Sequence, residues 1–263
     1  MVQRAAFFWV WLAVLPFSMA LFNNKLKVPV RAVLLMIALL TVYVVYVRQN
    51  DWKSGWVPVV IALAVTLVLY NWRFGAVMAV ASLIPAAALA QRALASDTYS
   101  YSARLEAWTI IWEIIKVNPV LGLGPANYYY YTPLFPIRGY FVNFNSHSQY
   151  VDLVAQTGIL GLIVFVWFFF EVGRVGWRLY RSKVSDPFAR AYILAALGGF
   201  VATLVAGFLG DWVIPFFYNV AMYGFRSTML SWVFLGGLVA LATILKLAAP
   251  PSPNSDSRAP NKS

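Results

Sequence analysis

The chain has 263 residues, of which 62% are hydrophobic and only 11% are charged, and its formal net charge is +11. Soluble domains carry about 25% charged residues, so this composition excludes a soluble globular protein and predicts an integral membrane protein. The sequence contains no cysteine, which excludes disulfides and thiolate metal sites. Its basic residues form no nucleic-acid-binding motif, so the positive charge predicts loops that face anionic membrane lipids, with no nucleic-acid partner.

Seven apolar runs have about the length needed to cross a bilayer. They are predicted at about 5–22, 28–47, 54–70, 74–94, 149–172, 190–209 and 227–247. The third is the weakest because it is short and contains Pro58. The first is long and rich in aromatic residues, which predicts a retained helix rather than a cleaved signal peptide.

The predicted fold is all-α: a polytopic membrane bundle of about seven transmembrane helices, with one long outer loop that contains an amphipathic helix. Four N-terminal transmembrane helices occupy 1–94, the outer loop 95–148 and three C-terminal transmembrane helices 149–248. The tail, 249–263, is rich in Pro, Ser and Asn and is expected to be disordered.

The distribution of Lys and Arg predicts the orientation in the membrane. The strongest cluster lies between the fifth and sixth spans and comprises Arg174, Arg178, Arg181, Lys183 and Arg190. That loop is therefore expected in the cytoplasm, and alternation places 95–148 and the N-terminus outside. An uncleaved start outside is unusual, and it would be explained if longer relatives carry further helices upstream.

Within the outer loop, Ser100 or Ser102 can cap a helix that runs to about Val117, where Asn118-Pro119 ends it. One narrow face of this helix is polar and holds Glu106, Thr109, Glu113 and Lys116. The remaining face is apolar and predicts a helix that lies on the membrane or caps the bundle.

Arg104 falls in the middle of that apolar face. An arginine there requires an anionic partner or a polar cavity, which favours a functional role. The alternative is that Arg104, in the first helical turn, extends back to water, although its bulky neighbours leave little room for this.

The segment from Asn118 to Asn127 reads NPVLGLGPAN and predicts a tight, structured loop. It lacks the Lys-Ser/Thr pair of a phosphate-binding P-loop. The four-tyrosine run that follows, Tyr128 to Tyr131, fits an aromatic belt at the lipid interface or a platform on which sugars stack.

His147 is the single histidine, and it lies where this polar segment returns to an apolar helix. It could exchange a proton near neutral pH, or it could simply hydrogen-bond a neighbouring loop. Asp152 lies near i+5 and is a poor same-face partner for it. Asp211, at the outer end of the sixth span, is the better candidate for orienting a base or acceptor, unless it is only a helix-end residue in contact with water. No Asp-x-Asp pattern supports a divalent-metal site.

Several spaced residues resemble the O-antigen ligase and O-antigen polymerase superfamily of bacterial envelope enzymes. They are Arg104 with Trp108, then Asn118-Pro119-x-x-Gly122-x-Gly124, then His147 with Gly158-x-x-Gly161. The resemblance covers about 50–175, and more loosely the last two spans.

The resemblance implies a metal-independent glycosyltransferase of polysaccharide or lipopolysaccharide biosynthesis, without a cofactor. It is expected as a multi-pass protein of the bacterial inner membrane, with its active site on the outer face. The donor would be a glycan on undecaprenyl pyrophosphate, and the acceptor a glycan, a lipid or a protein. Arg104 and His147 match the family's essential outer-loop Arg and His, and Asn118, Pro119, Gly122 and Gly124 would shape the loop.

Some positions depart from the family pattern. Lys53 stands where an Arg opens a membrane helix, Ser148 where Asn is usual, and Gln156 where an acid is common. Lys53, Arg138, Arg226 and Asp211 are the predicted contacts to pyrophosphate or sugar, although Arg138 and Arg226 would also fit ordinary interface anchors.

The chain has fewer spans than full-length relatives, which leaves a second hypothesis. It would be a truncated, non-catalytic membrane protein that binds lipid-linked glycan in a polysaccharide assembly complex, where a partner membrane protein supplies the missing helices. A small-solute transporter is the least favoured hypothesis, since no inverted repeat is visible.

Overall fold

A computed structural model of the chain describes residues 6–48, 53–73, 75, 77, 98–214 and 217–247. Its helices are α1 (Ala6–Phe22), α2 (Val28–Tyr43), α3 (Lys53–Tyr70), α4 (Thr98–Ile115), α5 (Tyr128–Tyr131), α6 (Gln149–Arg181), α7 (Pro187–Leu209) and α8 (Phe217–Leu247). A π-helical turn, Val44–Arg48, continues α2, and a 3₁₀ turn, Thr132–Leu134, follows α5. The described residues contain no β-strand, so the predicted all-α class is confirmed.

Four described helical segments are long and apolar enough to cross a membrane: Val28–Arg48, Gln149–Arg181, Pro187–Leu209 and Thr228–Leu245. Two further apolar helices, Phe7–Phe22 and Ser54–Tyr70, are shorter. Six of the seven predicted spans thus fall on apolar helices, and the predicted span at 74–94 lies almost wholly outside the described residues. The count of about seven membrane helices stays a prediction.

The centre of the bundle is α7, which contacts α1, α3, α6 and α8. Its buried surface is made largely of small residues, including Ala191, Ala195, Gly198, Gly199, Ala202 and Ala206. Small side chains let neighbouring helices approach closely, as is typical of membrane helix packing. The Trp11 ring packs directly over Gly199, for example, and its Nε1 donates to Ser231 Oγ on α8 at 2.9 Å.

The packing of α3 determines which helix ends meet. Thr66 Oγ1 donates to the Leu194 carbonyl at 3.3 Å, and a Cβ on Gly198 would lie 2.5 Å from the Ala62 carbonyl oxygen. The two pairings show that α3 runs antiparallel to α7. The Tyr180 hydroxyl donates to the Leu69 carbonyl at 2.6 Å, so the C-terminal ends of α3 and α6 lie together. As a result, α3 and α6 begin, and α7 ends, at the same end of the bundle. We call this the loop end, because segment 98–148 connects to it.

The loop end carries its own hydrophobic cluster, formed by Ile111, Ile114 and Ile115 of α4 with Tyr128 and Ala155. This cluster packs α4 against the first half of α6. The predicted amphipathic helix, from Ser100 or Ser102 to about Val117, is observed two to four residues earlier, as Thr98–Ile115. Ile111, Ile114 and Ile115 are buried, whereas Leu105 and Trp112 are exposed. Glu113 and Lys116 form an exposed ion pair of 2.6 Å on the polar face.

Candidate functional site

The floor of the site is a break in α6 at Gly158. This residue adopts φ 66° and ψ −170°, which is not helical, although helical geometry resumes beyond it. A break of this kind leaves backbone groups without their i→i−4 partners, and inside a membrane these groups require partners from elsewhere in the protein.

The loop 118–124 supplies those partners. Leu123 N and Gly124 N donate to the carbonyls of Ala155 and Gln156 at 3.0 and 2.9 Å. In return, the Pro119 carbonyl accepts from Ile159 N at 2.9 Å. The loop therefore completes the broken helix through backbone hydrogen bonds on both sides of the break.

Two glycines make this close approach possible. A Cβ on Gly158 would lie 2.1 Å from the Val120 carbonyl oxygen, and a Cβ on Gly122 would lie 2.4 Å from the carbonyl carbon of Gln156. Both residues also have positive φ, of 66° and 70°, which side chains disfavour. Asn118 and Pro119, which the sequence predicts as loop-shaping together with Gly122 and Gly124, lie in this docked loop. Asn118 Oδ1 accepts from Leu121 N at 3.3 Å.

A buried polar network lies above this floor. The side chain of Asp152 is fully buried and accepts hydrogen bonds from the Tyr128 hydroxyl and from Ser146 Oγ, the latter at 2.6 Å. Trp108 Nε1 donates to the Ser146 carbonyl at 2.7 Å, which ties α4 to the residue before His147. The network fixes the backbone on which His147 stands.

Tyr128 was missed as a site-supporting residue by sequence reasoning. The tyrosine run predicted an aromatic belt or a sugar platform, but Tyr128 is fully buried against Asp152 and can serve as neither. Tyr130 and Tyr131 are exposed, so both interpretations stay open for them. No local pattern distinguishes the first tyrosine from the others.

His147 projects from a strained turn at the start of α6. Its φ is +50°, and its backbone N–H donates to Asn145 Oδ1 at 3.2 Å. The residue is exposed, yet protein atoms crowd its ring. This desolvation lowers the pKa of His147, and the positive charge of Arg104 lowers it further. The imidazole is therefore uncharged at neutral pH and able to accept a proton.

Arg104 lies half-buried on α4 and directs Nη1 toward the Leu209 carbonyl at the end of α7, at 3.5 Å. Among the described residues it forms no ion pair within 4.0 Å. Its charge acts on both His147 and Asp211. The structure thus brings together these three residues, which come from distant parts of the sequence.

Asp211 is buried, with 3% of its surface exposed. Burial raises the pKa of Asp211 to about 7, with a further contribution from the nearby Asp152 carboxylate, while Arg104 opposes the shift. Its Oδ2 has no hydrogen-bond partner among the described residues. Near neutral pH this carboxyl is therefore protonated part of the time and can donate as well as accept a hydrogen bond. No hydrogen bond between Asp211 and His147 is observed in the described part of the chain.

The turn that carries Asp211 is held by α6. Gln149 Oε1 accepts from Val213 N and Ile214 N at 3.0 and 2.8 Å, and Gln149 N donates to the Gly210 carbonyl at 3.3 Å. Gln149 lies two residues after His147. The start of α6 therefore holds both the turn that carries Asp211 and the backbone of His147.

The other predicted contacts lie near the same end. Lys53 is the first residue of α3, and the α3–α7 register places its backbone level with about Gly207. Arg226 lies on α8, two residues before Thr228, whose hydroxyl donates to the Trp212 carbonyl at 2.7 Å. The side chains of Lys53 and Arg226 lie outside the described part of the structure.

Arg138 is held away from the Arg104–His147 pair by α4. Its Nε forms an ion pair with Glu106 Oε2 at 3.0 Å, its guanidinium also contacts Ser102 Oγ, and its backbone N–H donates to Glu106 Oε1 at 3.0 Å. These contacts give Arg138 a role in fastening residues 136–140 to α4. A substrate contact by Arg138 stays a prediction and would have to share the guanidinium with Glu106.

An apolar groove of about 730 Å³ lies between α4 and α6. Its lining includes Leu105, Trp108, Trp112, Tyr150, Val154 and Leu162. Trp108 lines the groove and also donates to the Ser146 carbonyl, so the groove and the polar network share this residue.

Comparison with known families decides the assignment of the chain. The family model described as O-antigen ligase matches residues 3–166, which is more than half of the sequence. The chain belongs to the O-antigen ligase family. The resemblance predicted from the sequence is confirmed, and the match extends further toward the N-terminus than the predicted start at about 50.

In this ligase-family chain, the matched range includes Lys53, Arg104 and His147, and it ends before Asp211 and Arg226. A segment of 78 residues is also 33% identical to undecaprenyl-diphosphatase of Paracoccus denitrificans (strain Pd 1222). That similarity covers 30% of this chain and 27% of the other protein, so it spans about a quarter of the relative's length. No solved structure matches the chain.

Proposed function

We propose that this O-antigen ligase family member transfers a glycan from undecaprenyl pyrophosphate to an acceptor hydroxyl, without a metal ion, at the outer face of the bacterial inner membrane. The observation that carries the proposal is the proximity of Arg104 and His147 at the loop end. Trp108, one helical turn after Arg104, donates to the carbonyl of Ser146, the residue before His147, and the charge of Arg104 contributes to the lowered pKa of His147. A cation and a proton acceptor are the two groups that such a displacement requires.

Arg104 would stabilise the leaving group. When the bond between the anomeric carbon and the pyrophosphate oxygen breaks, negative charge develops on the departing phosphates, and a waiting cation lowers the barrier. The planar guanidinium can hold two phosphate oxygens at once. Arg104 has no acidic partner within ion-pair distance among the described residues, which supports its availability for an anionic ligand.

His147 would accept the proton of the acceptor hydroxyl as its oxygen attacks the anomeric carbon. One C–O bond forms, the C–O bond to pyrophosphate breaks, and the proton passes to the imidazole. A single direct displacement of this kind inverts the configuration of the anomeric carbon. Lys53 would add a point charge toward the pyrophosphate, and Asp211 would bind a sugar or acceptor hydroxyl.

The hydrocarbon chain of the donor would lie in the apolar groove between α4 and α6. The groove is lined mainly by apolar and aromatic side chains, and one of them, Trp108, also donates to the Ser146 carbonyl of the polar site. This arrangement suits a ligand with a long apolar tail and an anionic head. Similarity over 78 residues to a protein named undecaprenyl-diphosphatase supports the same donor lipid.

The direct test is release of undecaprenyl pyrophosphate from a native lipid-linked glycan by the full chain in nanodiscs, with glycan, lipid and protein acceptors supplied. The rate would be measured with and without EDTA. Wild type should release the lipid, and His147→Ala should lower the rate by about 100-fold or more, as expected for loss of a general base. Arg174→Gln serves as the control, because Arg174 lies near the other end of α6 in an exposed pair with Glu171 at 3.0 Å.

Equal rates for wild type and His147→Ala would reject the assigned base. If neither protein releases the lipid, with or without EDTA, but both bind the lipid-linked glycan, the transferase proposal fails. The non-catalytic partner protein would then be the better explanation. Loss of release on addition of EDTA would reject the metal-independent mechanism alone.

A further inference from the structure

The end of the bundle opposite the loop end contains a second cavity, of about 590 Å³. It lies where α3 and α6 end and α7 begins, and its lining includes Tyr70, Tyr180, Arg181, Lys183 and Arg190. We infer that this cavity binds the phosphate-bearing headgroup of an anionic phospholipid. The inference is independent of the proposed transfer reaction, which uses the loop end.

The cavity is lined by positively charged side chains. Arg181, Lys183 and Arg190 line it, and none of the described lining residues is acidic. None of the three forms an ion pair with another described residue. The carboxylate of Asp186 is close in sequence, but it is engaged by Lys25 at 3.1 Å and by the Ala189 N–H at 2.9 Å. A phosphate diester would supply the missing negative charge.

The geometry of Arg190 supports the same inference. Its guanidinium lies over the ring of Tyr70, 5.8 Å from the ring centroid. A stacked guanidinium keeps its N–H donors at the edge, where they can reach phosphate oxygens. Two other lining residues, Tyr180 and Leu69, are joined by a hydrogen bond from the Tyr180 hydroxyl to the Leu69 carbonyl at 2.6 Å.

The lining also distinguishes a lipid from a soluble phosphate. Leu69, Leu179, Ile193 and Leu194 form its inner wall, and these residues belong to helices that the sequence predicts to span the membrane. An apolar wall beneath a cationic rim matches the boundary between acyl chains and headgroup. The orientation in the membrane depends only on the number of cations in this region. A headgroup site depends on which of these cations line the cavity.

The chain offers a matched pair of variants for the test. Lys183→Gln/Arg190→Gln removes two cavity cations. Arg174→Gln/Arg178→Gln removes two cations near the C-terminal end of α6 that do not line the cavity. All four residues are exposed, so neither double variant disturbs the core, and both lower the net charge equally.

Binding of phosphatidylglycerol to the full chain in neutral detergent would be measured by native mass spectrometry and by the shift in unfolding temperature. Phosphatidylcholine, glycerophosphoglycerol and inorganic phosphate would be the comparison ligands. We expect selective retention of phosphatidylglycerol by wild type and by the Arg174/Arg178 variant, and at least tenfold weaker binding by the Lys183/Arg190 variant.

Equal loss in both double variants would overturn the inference, since it would show a diffuse charge effect. Equal binding by all three proteins, or equal retention of phosphatidylcholine, would also overturn it. Competition by glycerophosphoglycerol or inorganic phosphate at the same concentration would reject the lipid and indicate a site for soluble phosphates.

Discussion

Arg104→Lys should reduce the rate of undecaprenyl pyrophosphate release by about 100-fold to 1000-fold, the range observed when one donor that stabilises a developing anion is removed. Lysine keeps the positive charge but cannot hold two phosphate oxygens in the planar, bidentate geometry of a guanidinium. The variant therefore tests the bidentate contact between the guanidinium and the phosphates, rather than the presence of a cation near His147. The measurement is the rate in nanodiscs at saturating lipid-linked glycan.

Folding should be almost unaffected by this substitution. The hydrogen bond from Arg104 to the Leu209 carbonyl is long, at 3.5 Å, and such a contact stabilises little. Arg174→Lys, at an exposed pair on α6, is the matched control and should retain wild-type activity. If the Arg104→Lys protein releases the lipid as fast as the control, Arg104 does not hold the phosphates in a bidentate contact.

Gly158→Ala should destabilise the protein by about 2–5 kcal/mol, which combines the cost of a left-handed backbone for a residue with a Cβ and the cost of overpacking. The new Cβ would lie 2.1 Å from the Val120 carbonyl oxygen, a backbone atom that cannot move aside without displacing the docked loop. Activity should fall with stability, because the loop supports the start of α6. Thermal unfolding in a constant detergent measures the effect.

Substitutions of two other glycines distinguish the cost of the backbone conformation from the cost of overpacking. Gly139 has φ of +80° but no atom within 4 Å of an added Cβ, so Gly139→Ala should cost only about 1–2 kcal/mol. Gly236 lies in α8 with nothing within 4 Å of an added Cβ, so Gly236→Ala should not destabilise the protein. If Gly158→Ala costs no more than Gly139→Ala, the loop 118–124 does not dock against the break in α6.

The helical architecture could be predicted from the sequence because long apolar runs and lipid thickness determine it directly. The helical period also singled out Arg104, since an arginine among bulky apolar residues requires a polar surrounding. The third span, predicted as weak because of Pro58, forms α3 over Lys53–Tyr70 with the proline inside the helix. Neighbouring helices compensate for proline in membrane bundles, so its presence did not argue against a helix.

Contacts between distant segments could not be predicted in this way. The sequence indicated a tight loop around Gly122 and Gly124, but not that this loop would donate to the carbonyls of Ala155 and Gln156. The helical period predicts that Asp152 is a poor same-face partner for His147, yet it gave no sign that Asp152 would accept from Tyr128. Periodicity describes one helix at a time, whereas these contacts depend on how helices and loops pack in three dimensions.

The charged residues illustrate the same limit. Arg104 and Arg138 both lie in the predicted outer segment. Arg104 was predicted to be the family's essential outer-loop arginine, and Arg138 was predicted as a further contact to pyrophosphate or sugar. The structure gives Arg138 an acidic partner, Glu106, at 3.0 Å, and gives Arg104 a place near His147 and Asp211. The difference arises because Glu106 and Arg104 point to different sides of α4, and only the folded loop determines which side Arg138 reaches.

The central claim is that an uncharged His147 accepts the proton of the acceptor hydroxyl. It is tested most directly by following the imidazole titration by NMR and the rate of undecaprenyl pyrophosphate release over the same pH range. The chain contains one histidine, so protein without a histidine tag gives a single imidazole signal. Burial and Arg104 lower the pKa of His147, so the titration midpoint should lie below the ordinary value of about 6.5. The rate should fall as the pH drops through that same midpoint. A rate that stays constant while the imidazole becomes protonated would contradict the claim.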